Sequence, residues 1–177
     1  MSKVTAEREF VPVNIVVLTV SDTRTLKDDK SGNVLVDRIN GAGHNIFDRD
    51  IVKDDVSDIV EKLKNYIRDK NIDVVISTGG TGVTGRDVTP EAFQNVYEKT
   101  IPGFGELFRV LSFDKIGTST IQSRATAGVA NGTYLFALPG SPGACKDAWD
   151  DILVHQLDYR FKPCNFASAI YSKFTSI

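Results

Sequence analysis

Residues 79–91 hold the densest set of groups able to do chemistry, reading Gly-Gly-Thr-Gly-Val-Thr-Gly-Arg-Asp-Val-Thr-Pro-Glu. Gly80, Gly82 and Gly85 formally match the G-x-G-x-x-G fingerprint of dinucleotide sites. That fingerprint needs a helix opening among the glycines, so that its N-terminus meets the pyrophosphate. Here Thr89 reads as the N-cap and Pro90 as the first helical residue, about four positions too late. A Walker A loop fails as well, because Arg86-Asp87 stands where Lys-Ser/Thr is required. What survives is a glycine backbone that a ligand can approach closely, with N–H groups able to hold an anion. Asp87 beside such a loop would repel an anion unless a cation intervened. Mg²⁺, held by one or two carboxylates together with substrate phosphates, resolves that conflict. Asp54 could supply a second carboxylate, although either Asp54 or Asp55 would also serve as a helix cap.

Two further segments join this list. Pro139-Gly140-Ser141-Pro142-Gly143 lies between a strand and a helix start, where small residues suit a phosphate or a flat ring. Ser123-Arg124 could add an anion contact. No Ser, Cys, His and Asp arrangement suggests a nucleophilic triad, and His44 and His155 read as structural. Cys145 and Cys164 are too few for a disulfide framework and lack zinc-site spacing, so they read as reduced thiols of a cytoplasmic protein.

The elements that must position these groups follow from apolar patterning. Asn14–Val20, Ile72–Thr78 and Tyr134–Leu138 are apolar, β-branched or aromatic runs that read as strands buried on both faces. Asn45–Val52 reads as another strand. A helix is expected from Ser31 to about Gly41. The spacing of Val56, Ile59, Val60, Leu63 and Ile67 predicts a second. Others follow from Pro90, over Phe104–Phe113, weakly over Ile121–Ala125, and over Ala144–Leu157. Residues 158–177 show no clear period, and their Phe161, Phe166, Ile170 and Phe174 would either finish the core or form an interface. Strands alternating with helices argue an α/β domain with a parallel sheet and helices on both faces. In such sheets ligands bind beyond the carboxyl ends of the strands, so Ser21–Lys30, Lys53–Asp55, Gly79–Thr89 and Pro139–Gly143 should gather at one edge.

Size and charge agree with this class. The chain has 177 residues, enough for one domain with its own core. Its formal net charge of −2, without a basic patch interleaved with aromatics, gives no case for nucleic acid. Residues 1–12 lack the apolar core of a signal peptide, and no stretch is long enough to span a membrane.

Read in order, Thr78–Gly82, Arg86–Ala92, Pro102–Glu106, Ser123-Arg124 and Leu138–Pro142 resemble the MoaB/MogA family of molybdopterin-binding domains in molybdenum cofactor biosynthesis. The resemblance runs from about Val13 to Ile170, leaving 1–12 as an N-terminal extension and 171–177 as a tail. It implies a single three-layer α/β/α domain with a mainly parallel central sheet, assembled as a trimer or, in MoaB-like members, a hexamer. Active members use Mg²⁺-ATP to adenylylate the terminal phosphate of molybdopterin, releasing pyrophosphate. The family's two essential aspartates match Asp54 and Asp87, with Asp55 able to take the first role after a one-residue slip. Pterin and nucleotide contacts carry over to Gly79, Gly80, Thr81, Gly82, Ser123, Arg124, Pro139, Gly140, Ser141 and Pro142, and to Ser21 and Asp22. The resemblance also allows a non-catalytic pterin-binding or assembly module, working with other proteins of the same pathway.

Overall fold

Apolar runs with no polar face can only lie inside a sheet covered on both sides. The computed structural model, which describes residues 3–4 and 8–175, places them there. In chain order the elements are β1 (Lys3–Val4), β2 (Asn14–Val20), α1 (Lys30–Gly41), β3 (Asn45–Val52), α2 (Val56–Arg68), β4 (Val74–Thr78), α3 (Thr89–Gln94), β5 (Lys99–Thr100) and α4 (Pro102–Ile116). A 3-10 helix (Gly117–Gln122) follows, then β6 (Thr126–Ala130), β7 (Thr133–Leu138), α5 (Pro142–Ala148), a π-helical stretch (Trp149–Leu153), α6 (Val154–Gln156), β8 (Phe161–Lys162) and α7 (Phe166–Thr175). The main sheet runs β3-β2-β4-β7-β6-β5. Its first four strands are parallel; β6 pairs antiparallel with β7, and β5 antiparallel with β6.

Alternate residues of the central strands feed two separate cores. Ile15, Val17, Val74, Ile76, Phe136 and Leu138 pack against Leu35, Ile39, Phe104, Phe108, Trp149 and Leu153 on one face. Val16, Leu18, Val75, Leu135 and Ala137 meet Ile59, Leu63, Ala92 and Phe93 on the other. The result is the expected three-layer α/β/α arrangement with a mainly parallel sheet.

Several local expectations are corrected. Thr89 is not the N-cap of α3: Val88 holds that position, and the Thr89 hydroxyl instead donates to the Gly79 carbonyl at 2.9 Å. The helix expected over Phe104–Phe113 is longer at both ends, opening at Pro102, whose fixed φ suits a first helical turn, and running to Ile116. Residues 121–125 are not one helical unit, because the 3-10 helix ends at Gln122 and Ser123 is extended, leading into β6. Within the tail, α7 forms although no period announced it. Of the tail residues described, Ile170 is buried in the core and Phe166 packs against it on Tyr134 and Phe136, whereas Phe161 is half-buried and stacks on His155. The Phe174 side chain lies outside the described residues.

Candidate functional site

Because β3, β2, β4 and β7 are parallel neighbours, their carboxyl ends bring all four loops to one edge. Backbone bonds tie the loops together there. The Ser21 N–H donates to the Val52 carbonyl at 2.8 Å, and the Gly79 N–H to the Leu138 carbonyl at 3.0 Å. Arg24 reaches from the first loop to the last, its Nη2 donating to the Gly140 carbonyl at 3.2 Å.

The glycine loop is shaped by contacts that a side chain would destroy. Gly79 has φ of +111°, and an added Cβ would stand 2.2 Å from the Val20 carbonyl oxygen. Gly80 has φ of +63°, and a Cβ there would stand 2.7 Å from the Asp54 carboxylate and 2.4 Å from Thr89 Oγ1. Only glycine combines this backbone region with so close an approach. Asp54 therefore lies directly against the glycine loop, and Asp87 lies against it at Gly82, where a Cβ would meet its Oδ2 at 2.8 Å.

The structure separates the roles of Asp54 and Asp55. Asp55 caps α2, accepting from the N–H groups of Ser57 at 2.8 Å and Asp58 at 3.1 Å. The Ser57 hydroxyl and those amides hold its carboxyl below the usual range. Asp54 takes no part in the cap. Burial raises its pKa first, and the nearby charges of Asp22 and Asp87 raise it further, against the opposing pull of Arg86. Asp22 contacts both neighbours: one oxygen accepts the Asp54 N–H at 3.3 Å, and the other pairs with the Arg86 guanidinium. Asp87 is different again. Its carboxylate accepts from the Thr84 hydroxyl at 2.5 Å and the Thr84 N–H at 3.0 Å, which lowers its pKa.

A cavity of about 510 Å³ opens beside the loop. Of the residues named from sequence, Gly80, Thr81, Gly82, Asp87, Ser123, Pro139, Gly140 and Ser141 line it. Ser21, Asp22, Asp54, Gly79, Arg124 and Pro142 do not. Pro142 opens α5, with Ser141 as its N-cap accepting from the Ala144 N–H at 3.2 Å. The Ser21 hydroxyl accepts from the N–H groups of Thr23 and Arg24. Arg124 does not face the cavity as a free cation. Its Nε donates to the Gly82 carbonyl at 2.6 Å and its Nη2 to the Asp87 carbonyl at 2.5 Å, while Nη1 pairs with Glu91. It clamps the glycine loop to the start of α3.

The wall that sequence reasoning missed comes from α4 and the 3-10 helix. Phe108, Ser112, Lys115 and Ile116 line the cavity, followed by Ser119, Thr120 and Gln122. The hydroxyl-rich run after Gly117, leading straight into Ser123-Arg124, is the one sequence signal that points to it. Lys115 bridges to α5 and the π-helical stretch, donating to Asp147 at 2.7 Å and Asp151 at 2.8 Å. A pocket of this size, lined mainly by apolar surface with several hydroxyls and Asp87 among it, suits a small organic ligand with polar groups. His44 and His155 lie outside it. His44 is buried, packed against Phe10 and Trp149, and accepts the Val13 N–H on Nδ1 at 3.2 Å.

The chain is similar in sequence and fold to known proteins. The family described as "Probable molybdopterin binding domain" matches residues 16–159. Molybdenum cofactor biosynthesis protein B of Escherichia coli (strain K12) is 49% identical over 166 residues, covering 94% of this chain and 96% of that protein. A crystal structure of a molybdenum cofactor biosynthesis protein B superposes with a TM-score of 0.86 at 35% identity, covering 96% of this chain and 100% of that one. The tungsten cofactor synthesizing protein MoaB from Pyrococcus furiosus gives 0.71 at 35% identity, covering 80% and 91%. With the family matched over most of its length and its site loops gathered at one sheet edge, the chain belongs to the MoaB/MogA molybdopterin-binding family of molybdenum cofactor biosynthesis.

Proposed function

We propose that the protein is a Mg²⁺-dependent molybdopterin adenylyltransferase, with Asp54 and Asp87 as its functional carboxylates. The observation that carries this is the pairing of a mainly apolar cavity with two aspartates pressed against one glycine backbone. The cavity would take the pterin or adenine ring, and the Gly79–Gly82 backbone would take phosphate. Ser21, Asp22, Ser123 and Pro139–Pro142 would shape the approach. In the proposed reaction a terminal phosphate oxygen of molybdopterin attacks the α-phosphorus of ATP. One P–O bond forms, the α–β P–O bond breaks, and its electron pair leaves with pyrophosphate. The attacking group belongs to the substrate, so the protein's task is to align two anions and offset their repulsion.

The residues present fit the cation this requires. Among the described residues no group of three or more His, Cys, Asp or Glu side chains could hold a metal ion by itself. Asp54 and Asp87, both against the glycine loop, are the carboxylates that would hold Mg²⁺, an ion that takes one or two carboxylates beside waters and substrate phosphates. When bound it would supply charge neutralisation at the reacting phosphates. Asp54 supplies the matching need, since burial and the like charges of Asp22 and Asp87 disfavour its ionisation more than Arg86 and the Asp22 backbone favour it.

A second reading, a non-catalytic pterin-binding or assembly module, is favoured by the engaged cations. Lys115, the one cation lining the cavity among the described residues, is paired with Asp147 and Asp151, and Arg124 is held in the loop. Incubation with molybdopterin and Mg²⁺-ATP, read as adenylylated pterin by mass, decides between them. Product from wild type and none from Asp87→Asn supports the enzyme. Pterin binding without product supports the module.

Self-assembly as a trimer or hexamer belongs to the same proposal. Leu107, Val110, Phe113 and Ile116 form an exposed stripe along α4, and Ile121 beside it is 82% exposed. Contiguous apolar surface of this kind marks an interaction face. Cytoplasmic location is also proposed; no helix among the described residues is long and apolar enough to cross a membrane.

A further inference from the structure

We propose that Arg86 is a built-in counter-ion of the carboxylates at this site, which it exchanges for a phosphate of the incoming nucleotide. This rests on the reading of the site as one for a Mg²⁺-nucleotide. Arg86 lies in the exposed outer part of the glycine loop, with its guanidinium laid across to Asp22, 64 positions away in sequence. Its side chain is 79% exposed, against 30% for Asp22. Asp22 in turn receives the Asp54 N–H, and Asp87 is the next residue in the chain. One guanidinium thus serves two carboxylates drawn from two loops, paired directly with Asp22 and acting on the charge of Asp54, which Asp87 also opposes.

The contrast with Arg124 shows what makes Arg86 exchangeable. Arg124 is fixed by two carbonyls of the glycine loop and the Glu91 carboxylate of α3. The pairing of Arg86 is at the surface, where water replaces a lost partner at little cost. Guanidinium also suits phosphate, which it can meet with two parallel N–H donors. Asp22 and Asp54 share the single Arg86 guanidinium, so their charge is incompletely neutralised and an added cation competes with Arg86 for it. Arrival of the cation removes the reason for Arg86 to stay on Asp22. The freed guanidinium then stands at the loop where phosphates would lie.

Competition of this kind predicts effects of opposite sign from one substitution. Mn²⁺ titrated alone and followed by the electron paramagnetic resonance of the free ion should bind Arg86→Gln about two- to fivefold more tightly than wild type. Mg²⁺-ATP titrated by calorimetry should bind it roughly tenfold more weakly or worse. Arg86→Lys, which keeps the charge but not the fork, should restore the Mn²⁺ affinity of wild type and only part of the nucleotide affinity. A structural role would weaken both ligands together, and that result, or no change in either, overturns the proposal. Wild type that binds Mn²⁺ but no Mg²⁺-ATP removes the nucleotide reading and the exchange with it, while the Mn²⁺ comparison still decides the counter-ion role. Wild type that binds neither removes both.

Discussion

Asp54 and Asp55 are adjacent, chemically identical and assigned opposite work, so exchanging each in turn should separate fold from function. Asp55→Ala removes an acceptor shared by the Ser57 and Asp58 amides and the Ser57 hydroxyl. Losing a side-chain cap from a domain of this size lowers Tm by about 2–4 °C, and water at this exposed position brings the effect toward the lower end. Adenylyl transfer at a temperature well below Tm should persist. Asp54→Asn leaves the cap intact and removes a charge that Asp22 and Asp87 oppose. Its Tm should equal or exceed that of wild type, while transfer falls by about 100-fold or more, the scale of losing one preorganised electrostatic group. The pH dependence has a definite sign. A folded-state pKa above the ordinary 3.8 favours the native state while Asp54 is protonated and withdraws that advantage as pH rises through the folded value. The Tm advantage of Asp54→Asn should therefore appear above that value and vanish below pH 3.8. Calorimetry paired with the mass-based transfer assay reads both quantities. If Asp55→Ala abolished transfer at unchanged Tm, or Asp54→Asn destabilised the fold as a cap mutant does, the division of roles would be wrong.

Burial pushes the His44 imidazole down to about 4, against a smaller opposing pull from Asp158, so the fold holds the neutral ring that accepts the Val13 N–H. A depressed folded value gives stability present above pH 6.5 and lost as pH falls toward 4. The Tm–pH curve of His44→Gln should be flatter than that of wild type over that window, and parallel curves would contradict this. Arg124→Met removes two carbonyl contacts and the Glu91 pair; at about 1.5–3 kcal/mol for a charge-assisted bond it should loosen the loop more than the protein. Hydrogen exchange should quicken over residues 81–89 while β2 and β4 stay protected, and uniform protection would argue against the clamp. Val110→Asp with Phe113→Asp places charge on the α4 stripe, and light scattering should show a smaller particle than wild type at similar Tm. An unchanged particle size would move the interface elsewhere.

Legibility from sequence followed physical simplicity. The strands β2, β4 and β7 were plain because a strand buried on both faces needs an unbroken apolar run, and α2 because one buried stripe leaves a 3.6-residue period. The strand β6 was not legible. Its sequence, Thr-Ala-Gly-Val-Ala, is small because Tyr97 packs against it: a Cβ on Gly128 would stand 2.3 Å from the Tyr97 ring. That fit depends on a residue thirty-one positions earlier, outside any local pattern. The Thr89 error has the same origin. A threonine before proline is a sound local cap, but a tertiary acceptor, the Gly79 carbonyl, took its hydroxyl. For the site, the glycine loop and Asp87 were visible because their chemistry is concentrated in one segment. The α4 wall was hidden because Phe108 serves the core as well as the cavity, so nothing in its spacing marked a second role.

Aspartates around the site show how the fold distinguishes framework from function. Asp29 is fully buried, which by itself would raise its pKa, yet it is held below the ordinary value. Thr19, Gly32, Arg49 and Ser31 all donate to it, so the charge is met by donors that belong to the protein. Arg24 joins that network through Ser31 and carries it to Gly140 on the cavity wall. Asp29 thus fixes the loops in place and has no acceptor capacity that a ligand is needed to fill. Asp54 shifts the other way: burial raises it first, the charges of Asp22 and Asp87 add to that, and fewer donors oppose them than at Asp29. Burial cannot explain opposite shifts, since it acts in the same direction on both; the supply of donors does. An incompletely offset charge is the one that the proposed cation would favour, and its binding would then stabilise the folded protein by mass action.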